Sequence, residues 1–272
     1  MTSRMGLHSF TLKGTPADRI LALAAEAGFS GVELRQDDLD EFTAAGGRLG
    51  ALARQLRDLG LTLIRVSRVP GWLGNPGPDR QAHLDGIRRA IDAARELGSV
   101  SVGSPFARGA VDASRGPADL REVAAMAADA GLPLSMEILG FAPAWNDIRS
   151  AWRLVREAGA DNVQLLLDTF HLYRGRSRLE ALAAVPPARI AVVHVNDAPA
   201  RPPEALEDTD RVQPGDGGLP LAAMLGAIHD HGYRGWYSLE VMGPSVWGRD
   251  PREVAREGAA RLRTALEGLG RR

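Results

Sequence analysis

The sequence predicts an α/β fold built as a single closed (β/α)8 TIM barrel spanning residues 1–272. Three observations carry that prediction. A short apolar segment, a polar or Gly/Pro-rich loop and an Ala/Leu/Arg/Glu-rich helical segment recur in the same order from one end of the chain to the other. The unit occurs eight times, the number a closed parallel barrel needs. In the second half, Glu137, Asp168, His194 and Glu240 each close an apolar run. Such runs read as buried parallel strands, so the four polar groups belong on one rim.

The first unit joins a strand over 5–10 to a helix over 17–27, stopped by Gly28. The second joins strand 31–34 to helix 50–59, stopped by Gly60, and the third joins strand 62–67 to helix 80–97, stopped by Gly98. Strand 99–103 leads to helix 118–130 and Gly131, and strand 133–137 leads to helix 145–158 and Gly159. Strand 163–168 precedes helix 179–184; strand 190–195 precedes a long loop with a Pro-rich piece at 198–205 and helix 221–231. Strand 236–241 and helix 251–267, followed by Gly268, complete the set. Glycine just past a helix accepts the left-handed cap at little cost, which supports these boundaries independently of the strands. The glycine-rich stretch 71–77 is stiffened by Pro70 and Pro76 and opens no immediate helix, so it reads as an irregular loop and not as a dinucleotide cradle.

Net charge is −1 with both signs interspersed, which gives no basic stripe for a phosphate backbone and argues against a nucleic-acid partner. The N-terminal segment lacks the apolar core of a signal peptide, and no stretch is long enough to cross a bilayer, so a soluble cytoplasmic protein is expected. Cysteine is absent, which removes disulfides, thiolate ligands and a cysteine nucleophile. Lys13 is the only lysine and sits in a polar stretch, where it reads as a solvated loop residue.

In a parallel barrel the C-terminal strand ends share the face on which the βα loops build active sites. Glu137, Asp168, His194 and Glu240 are therefore expected to converge. Singly, each has a bland explanation: a helix cap, a salt bridge, a core histidine. Jointly, three carboxylates and an imidazole form a hard donor set for one divalent cation, favouring Mn²⁺, Mg²⁺ or Co²⁺, with Zn²⁺ also admitted. Beside a dication, one glutamate can hold the metal while the other takes a proton from substrate. His171, three residues past Asp168, and Arg211, in a turn-rich loop, are expected to contact substrate oxygens. Glu33 and His8 are weaker candidates for the cavity wall, and Trp72, Trp145 and Trp247 are candidate stacking faces. His83, His229 and His231 fall on helical segments and read as exterior.

The sequence resembles the xylose isomerase-like superfamily of sugar and cyclitol isomerases and epimerases. The resemblance is carried by residues 28–34, by Met136-Glu137, by Leu165-Leu166-Leu167-Asp168-Thr169-Phe170-His171, by His194-Val195-Asn196-Asp197, by residues 210–217 and by Ser238-Leu239-Glu240. Within that superfamily the sequence is most similar to inosose isomerases, although Asn196 stands where an acidic residue is common. The resemblance implies Glu137, Asp168, His194 and Glu240 as metal ligands, with both glutamates placed for proton transfer and with His171 and Arg211 on substrate oxygens.

The expected activity is metal-dependent isomerisation or epimerisation of a polyhydroxylated ketone, a keto-inositol first, through a cis-enediolate. The nearest rival is a dehydratase of an inosose or of 3-dehydroshikimate; a carboxylated substrate would draw on Arg65, Arg68 or Arg108. More distant rivals are an abasic-site endonuclease and a barrel that binds without catalysis. The partner expected is a small sugar or cyclitol, and a homo-oligomer is compatible with the sequence.

Overall fold

The computed structural model describes residues 4–68, 70–107 and 109–270. Its strands are β1 (Arg4–His8), β2 (Gly31–Arg35), β3 (Thr62–Ser67), β4 (Ser101–Pro105), β5 (Leu134–Glu137), β6 (Val163–Asp168), β7 (Ile190–Val195) and β8 (Trp236–Leu239). They pair in parallel and in chain order, and β1 closes on β8. Around them lie α1 (Ala17–Ala27), α2 (Gln36–Ala44), α3 (Leu49–Asp58), α4 (Arg80–Leu97), α5 (Gly116–Asp129), α6 (Ile148–Ala158), α7 (Thr169–Arg174), α8 (Leu221–Asp230) and α9 (Pro251–Glu267). Among the described residues, no helix is long and apolar enough to cross a membrane.

The helices form because one face of each is apolar. In α1, for example, Ile20, Leu21, Leu23 and Ala24 are buried between the strands and the neighbouring helices, and Gly28 ends the helix at φ 86°. Gly268 departs from that expectation, with φ −73° and no left-handed cap. Other departures are local. Residues 9–12 turn into a 3-10 helix and end β1 at His8, α2 adds a helix before α3, and 179–184 is 3-10 helix.

Alternation along the strands decides what faces inward. Ile64, Leu166, Val192 and Trp236 form a small cluster inside the barrel, separate from the large outer core between strands and helices. Gly6 and Gly31 make room for it: a Cβ at Gly31 would lie 2.7 Å from the Trp236 ring, and one at Gly6 would meet Ile64. Two residues further along these strands, the inward positions are His8, Glu33, Asp168, His194 and, from β8, Ser238 followed by Glu240. Two register shifts adjust this layer. One, between Val32 and Glu33, pairs Leu63 with Val32 and Arg65 with Glu33, so Ile64 and Arg65 both turn inward; the other aligns Asp168 opposite His194.

Candidate metal centre and active site

Glu137, Asp168, His194 and Glu240 converge at the C-terminal end of the barrel, with one ligand atom from each lying within 4.8 Å of the others. Glu137 and Asp168 end their strands, His194 is the penultimate residue of β7, and Glu240 follows the last residue of β8. His194 Nδ1 lies 3.1 Å from Glu240 Oε2, 3.5 Å from Glu137 Oε1 and 3.6 Å from Asp168 Oδ2. None of these approaches has hydrogen-bond alignment, so Nδ1 is a buried nitrogen without a hydrogen-bond partner among the described residues. A ring nitrogen set amid three carboxylates but bonded to none fits a shared cation.

Charge points the same way. Glu33, Glu137, Asp168 and Glu240 are all at most 6% exposed and are met by two equally buried guanidiniums, Arg65 and Arg211. Four carboxylates against two cations leave two negative charges, the charge of a divalent ion, in a place where uncompensated charge is costly. Without such an ion, His194 takes up part of that role. Burial opposes its charged form, but the negative charges packed around it, Glu33 and Glu240 first, raise its pKa well above the ordinary value. Glu240 is held well below the carboxylate range: burial works against this, but His194, His8 and Arg211 outweigh it.

Asp168 serves two neighbours at once. Its Oδ1 accepts from the His171 backbone N–H at 3.0 Å and caps α7, while Oδ2 faces the site and accepts from Asn196 Nδ2 at 3.0 Å. Asn196 also binds the Glu240 carbonyl, and its own oxygen accepts from Thr169 Oγ1 and the Phe170 N–H, so every polar atom of that buried amide is used. Arg211 Nη1 donates to Asp168 Oδ2 at 2.8 Å and Glu240 Oε2 at 2.7 Å, and Nη2 lies 2.9 Å from His171 Nε2. Arginine only donates, so His171 Nε2 accepts and its proton sits on Nδ1. Burial, with help from Arg211, lowers the His171 pKa and keeps that ring neutral. The loop carrying Arg211 is tied down by Asp197, which accepts from Ala198, Gly215 and Leu219 and pairs in antiparallel fashion with Val212.

Above the four residues opens a cavity of about 340 Å³. Of the four, only Glu137 and Glu240 line it, together with His8, His171 and Arg211. Its wall along β2 and β3 carries Arg35, Asp37, Arg65, Ser67 and Arg68, and its apolar lining includes Phe10, Leu139, Met242 and Trp247. Of the three candidate tryptophans, Trp247 alone lines this cavity; Trp72 and Trp145 are buried in the outer core. Lys13 is exposed, as expected, but stacks 4.4 Å over the Trp247 ring. Glu33 is no wall residue: it is fully buried behind His194. Sequence reasoning missed Arg35, which ends β2 one residue past the strand read from the sequence, Asp37 in the unexpected helix α2, and Asp208 and Thr209 in a short 3-10 turn. His83, on α4, His229, on α8, and His231, just past α8, are partly buried and do not line the cavity. Arg108 lies outside the described residues.

The family model described as xylose isomerase-like TIM barrel matches residues 21–265. This chain belongs to the xylose isomerase-like TIM barrel family. A 3-dehydroshikimate dehydratase from Pseudomonas aeruginosa is 34% identical over 86% of the chain, and the chain spans only 37% of that relative's length. An inosose isomerase from Halalkalibacterium halodurans is 31% identical over 47% of the chain and 46% of its own length. Among solved structures, an IOLI protein crystallised with a zinc atom superposes with a TM-score of 0.88, 22% identity and 98% coverage of both chains, a likeness of fold. Relatives of this xylose isomerase-like chain are thus isomerases and dehydratases, and the inosose isomerases expected from the sequence are among them.

Proposed function

We propose that this chain enolises a polyhydroxylated ketone at a divalent metal centre formed by Glu137, Asp168, His194 and Glu240. The observation that carries the reading is the division within that set: Asp168 and His194 lie beneath, while Glu137 and Glu240 line the cavity from β5 and from the end of β8. A cation there supplies Lewis acidity that makes the C–H beside a carbonyl more acidic. One glutamate takes that proton and the electron pair moves onto the carbonyl oxygen; in isomerisation the former carbonyl carbon is then protonated while the neighbouring hydroxyl passes its proton to the first oxygen, and in epimerisation the original carbon is protonated from the other face. Glu240 is ionised at neutral pH and so can accept that proton, while its lowered pKa makes it a weak base that relies on the cation to acidify the C–H. Arg211 and neutral His171 face the same cavity, where they can hold substrate oxygens. Isomerisation or epimerisation follows, with a keto-inositol as the substrate class. Mn²⁺, Mg²⁺ and Co²⁺ suit the oxygen-rich donors, and the zinc in the IOLI structure adds Zn²⁺ to the set.

A second reading is favoured by the wall along β2 and β3. Arg65 is 1% exposed, lines the cavity and has an Nη1 without a hydrogen-bond partner among the described residues; Arg68 stands beside it at the rim. Guanidiniums of this kind suit a substrate carboxylate. With such a substrate the same proton abstraction would end differently: the enolate re-forms the carbonyl, the β C–O bond breaks, and the leaving hydroxyl takes up a proton from the newly protonated carboxyl group and departs as water. The dehydratase relative, which matches most of the chain, supports this course.

Proton NMR in D₂O of metal-loaded protein with keto-inositols and with 3-dehydroshikimate tests both. Deuterium uptake beside the carbonyl, abolished by chelation, supports enolisation. A conjugated product absorbing in the ultraviolet selects dehydration. No exchange with any of these ketones would sink the proposal.

A further inference from the structure

We propose that Glu33 is a positioning residue for the metal centre, fixing the His194 ring so that Nδ1 is presented to Glu137, Asp168 and Glu240. The inference rests on the metal-centre reading and goes beyond its ligands. His194 Nε2 lies 3.1 Å from both oxygens of Glu33, and nothing else among the described residues bonds that nitrogen. A carboxylate there holds the proton on Nε2 and leaves the Nδ1 lone pair free, the arrangement in which an outer carboxylate orients a metal-binding histidine.

Glu33 is itself held. Arg65 Nε donates to Glu33 Oε2 at 2.9 Å, and Arg65 Nη2 lies 3.8 Å from Glu137 Oε2. The register shift between β2 and β3 is what turns Arg65 inward beside Ile64, so a backbone irregularity supplies the clamp. Gly103 on the next strand leaves the space: a Cβ there would lie 2.7 Å from Arg65 Cδ. The result is a buried chain from Arg65 through Glu33 to His194, touching the ligand set at two points, His194 and Glu137.

Calorimetric titration with Co²⁺ of full-length protein stripped of metal tests the proposal, with the visible Co²⁺ spectrum as a second reading of ligand geometry. Glu33→Gln keeps the shape but turns an N–H toward one of two donors. Glu33→Asp keeps the charge but draws the oxygens back from Nε2. Both are expected to weaken Co²⁺ binding about 10- to 100-fold and to change the spectrum. If either variant folds, by circular dichroism, and binds Co²⁺ as tightly as the unmodified protein with the same spectrum, the proposal is wrong. Restoration by Asp alone would also overturn it, because charge and not position would then be the cause. Failure of the unmodified protein to take up Co²⁺ is a distinct result, seen without any variant, that would overturn the metal-centre reading and this inference with it.

Discussion

Asp168 and His194 face each other directly across the β6–β7 ladder, with Oδ2 3.6 Å from Nδ1, both fully buried and both pointing into the barrel. Neighbouring strands supply Glu137 on one side and Glu240 on the other, so the charge balance of the site depends on what lies among these four groups.

Metal should therefore stabilise the fold. At a free concentration of 100 times Kd, binding to the native state alone contributes about 2.7 kcal/mol, which for a chain of this length raises Tm by roughly 5–10 °C. Thermal unfolding with Mn²⁺ or Co²⁺ against EDTA reads this. An unchanged Tm at saturating metal would contradict the charge argument.

Glu240→Gln retains an oxygen ligand but cannot accept the proton. Deuterium exchange into substrate is expected to fall about 10²- to 10⁴-fold while metal remains bound. Full exchange with bound metal would remove Glu240 from the proton-transfer role.

Arg211→Met leaves Asp168 and Glu240 without their shared guanidinium. Removing one partner of a buried pair costs about 3–5 kcal/mol. Urea unfolding in EDTA should show that loss, and saturating Mn²⁺ should narrow the gap, since a dication compensates the same oxygens. A gap that stays the same with and without metal would place Arg211 outside the site's charge balance.

Arg68 separates the two substrate readings. It is paired with Asp37 at 3.1 Å on the cavity rim, so Arg68→Met should leave keto-inositol exchange close to unmodified levels. For a carboxylated substrate, losing a charge-assisted contact worth about 1.5–3 kcal/mol raises KM about 10- to 100-fold. Equal effects on both substrates would deny Arg68 a part in telling them apart.

Alkaline pH tests burial of Tyr237 on the outer face of β8. Burial, only partly offset by Arg234, pushes its phenol up to about 12, against an ordinary value of 10.0. A folded pKa above the unfolded one gives stability that is whole below pH 10 and lost as pH rises toward 12. Urea unfolding at pH 8 and at pH 11 should show that drop in the unmodified protein and a smaller one in Tyr237→Phe. At pH 8 the variant is expected to match or exceed it, because the hydroxyl has no hydrogen-bond partner among the described residues. Identical drops would mean another group is responsible.

The strands over 62–67, 163–168 and 190–195 and the helices over 17–27, 80–97 and 251–267 were legible to the residue. The strands are mostly apolar, the helices carry a periodic apolar face, and for two of the three helices a left-handed glycine marks the end. The convergence of Glu137, Asp168, His194 and Glu240 was legible because parallel strands put their ends on one face. The meeting of Arg65 with Glu33 was not. It depends on a register shift that no alternation in 62–67 announces, since two successive inward residues break the very pattern used to read a strand. Helix α2 was missed because its polar sequence, with Asp37, Asp38 and Asp40, reads as loop until Arg35 and Asp38 are seen to close its first turn. Trp72 and Trp145 are long enough to reach from loops into the outer core, which loop position alone does not reveal.

The glycines at positions 6 and 31 carry a consequence for how this chain can change over time. Trp236 and Ile64 fill the space those residues leave, directly beneath the layer of His8 and Glu33. A heavier residue at either position would collide with Ile64 or Trp236, so a change in the barrel floor is expected to cost stability and to disturb the layer of His8 and Glu33 that rests on it. The loops above are pinned at single points, by Asp197 in one place and by Ser245 and Trp247 in others, and not packed throughout. The rim is therefore the part of this barrel that tolerates rewriting more readily than its interior.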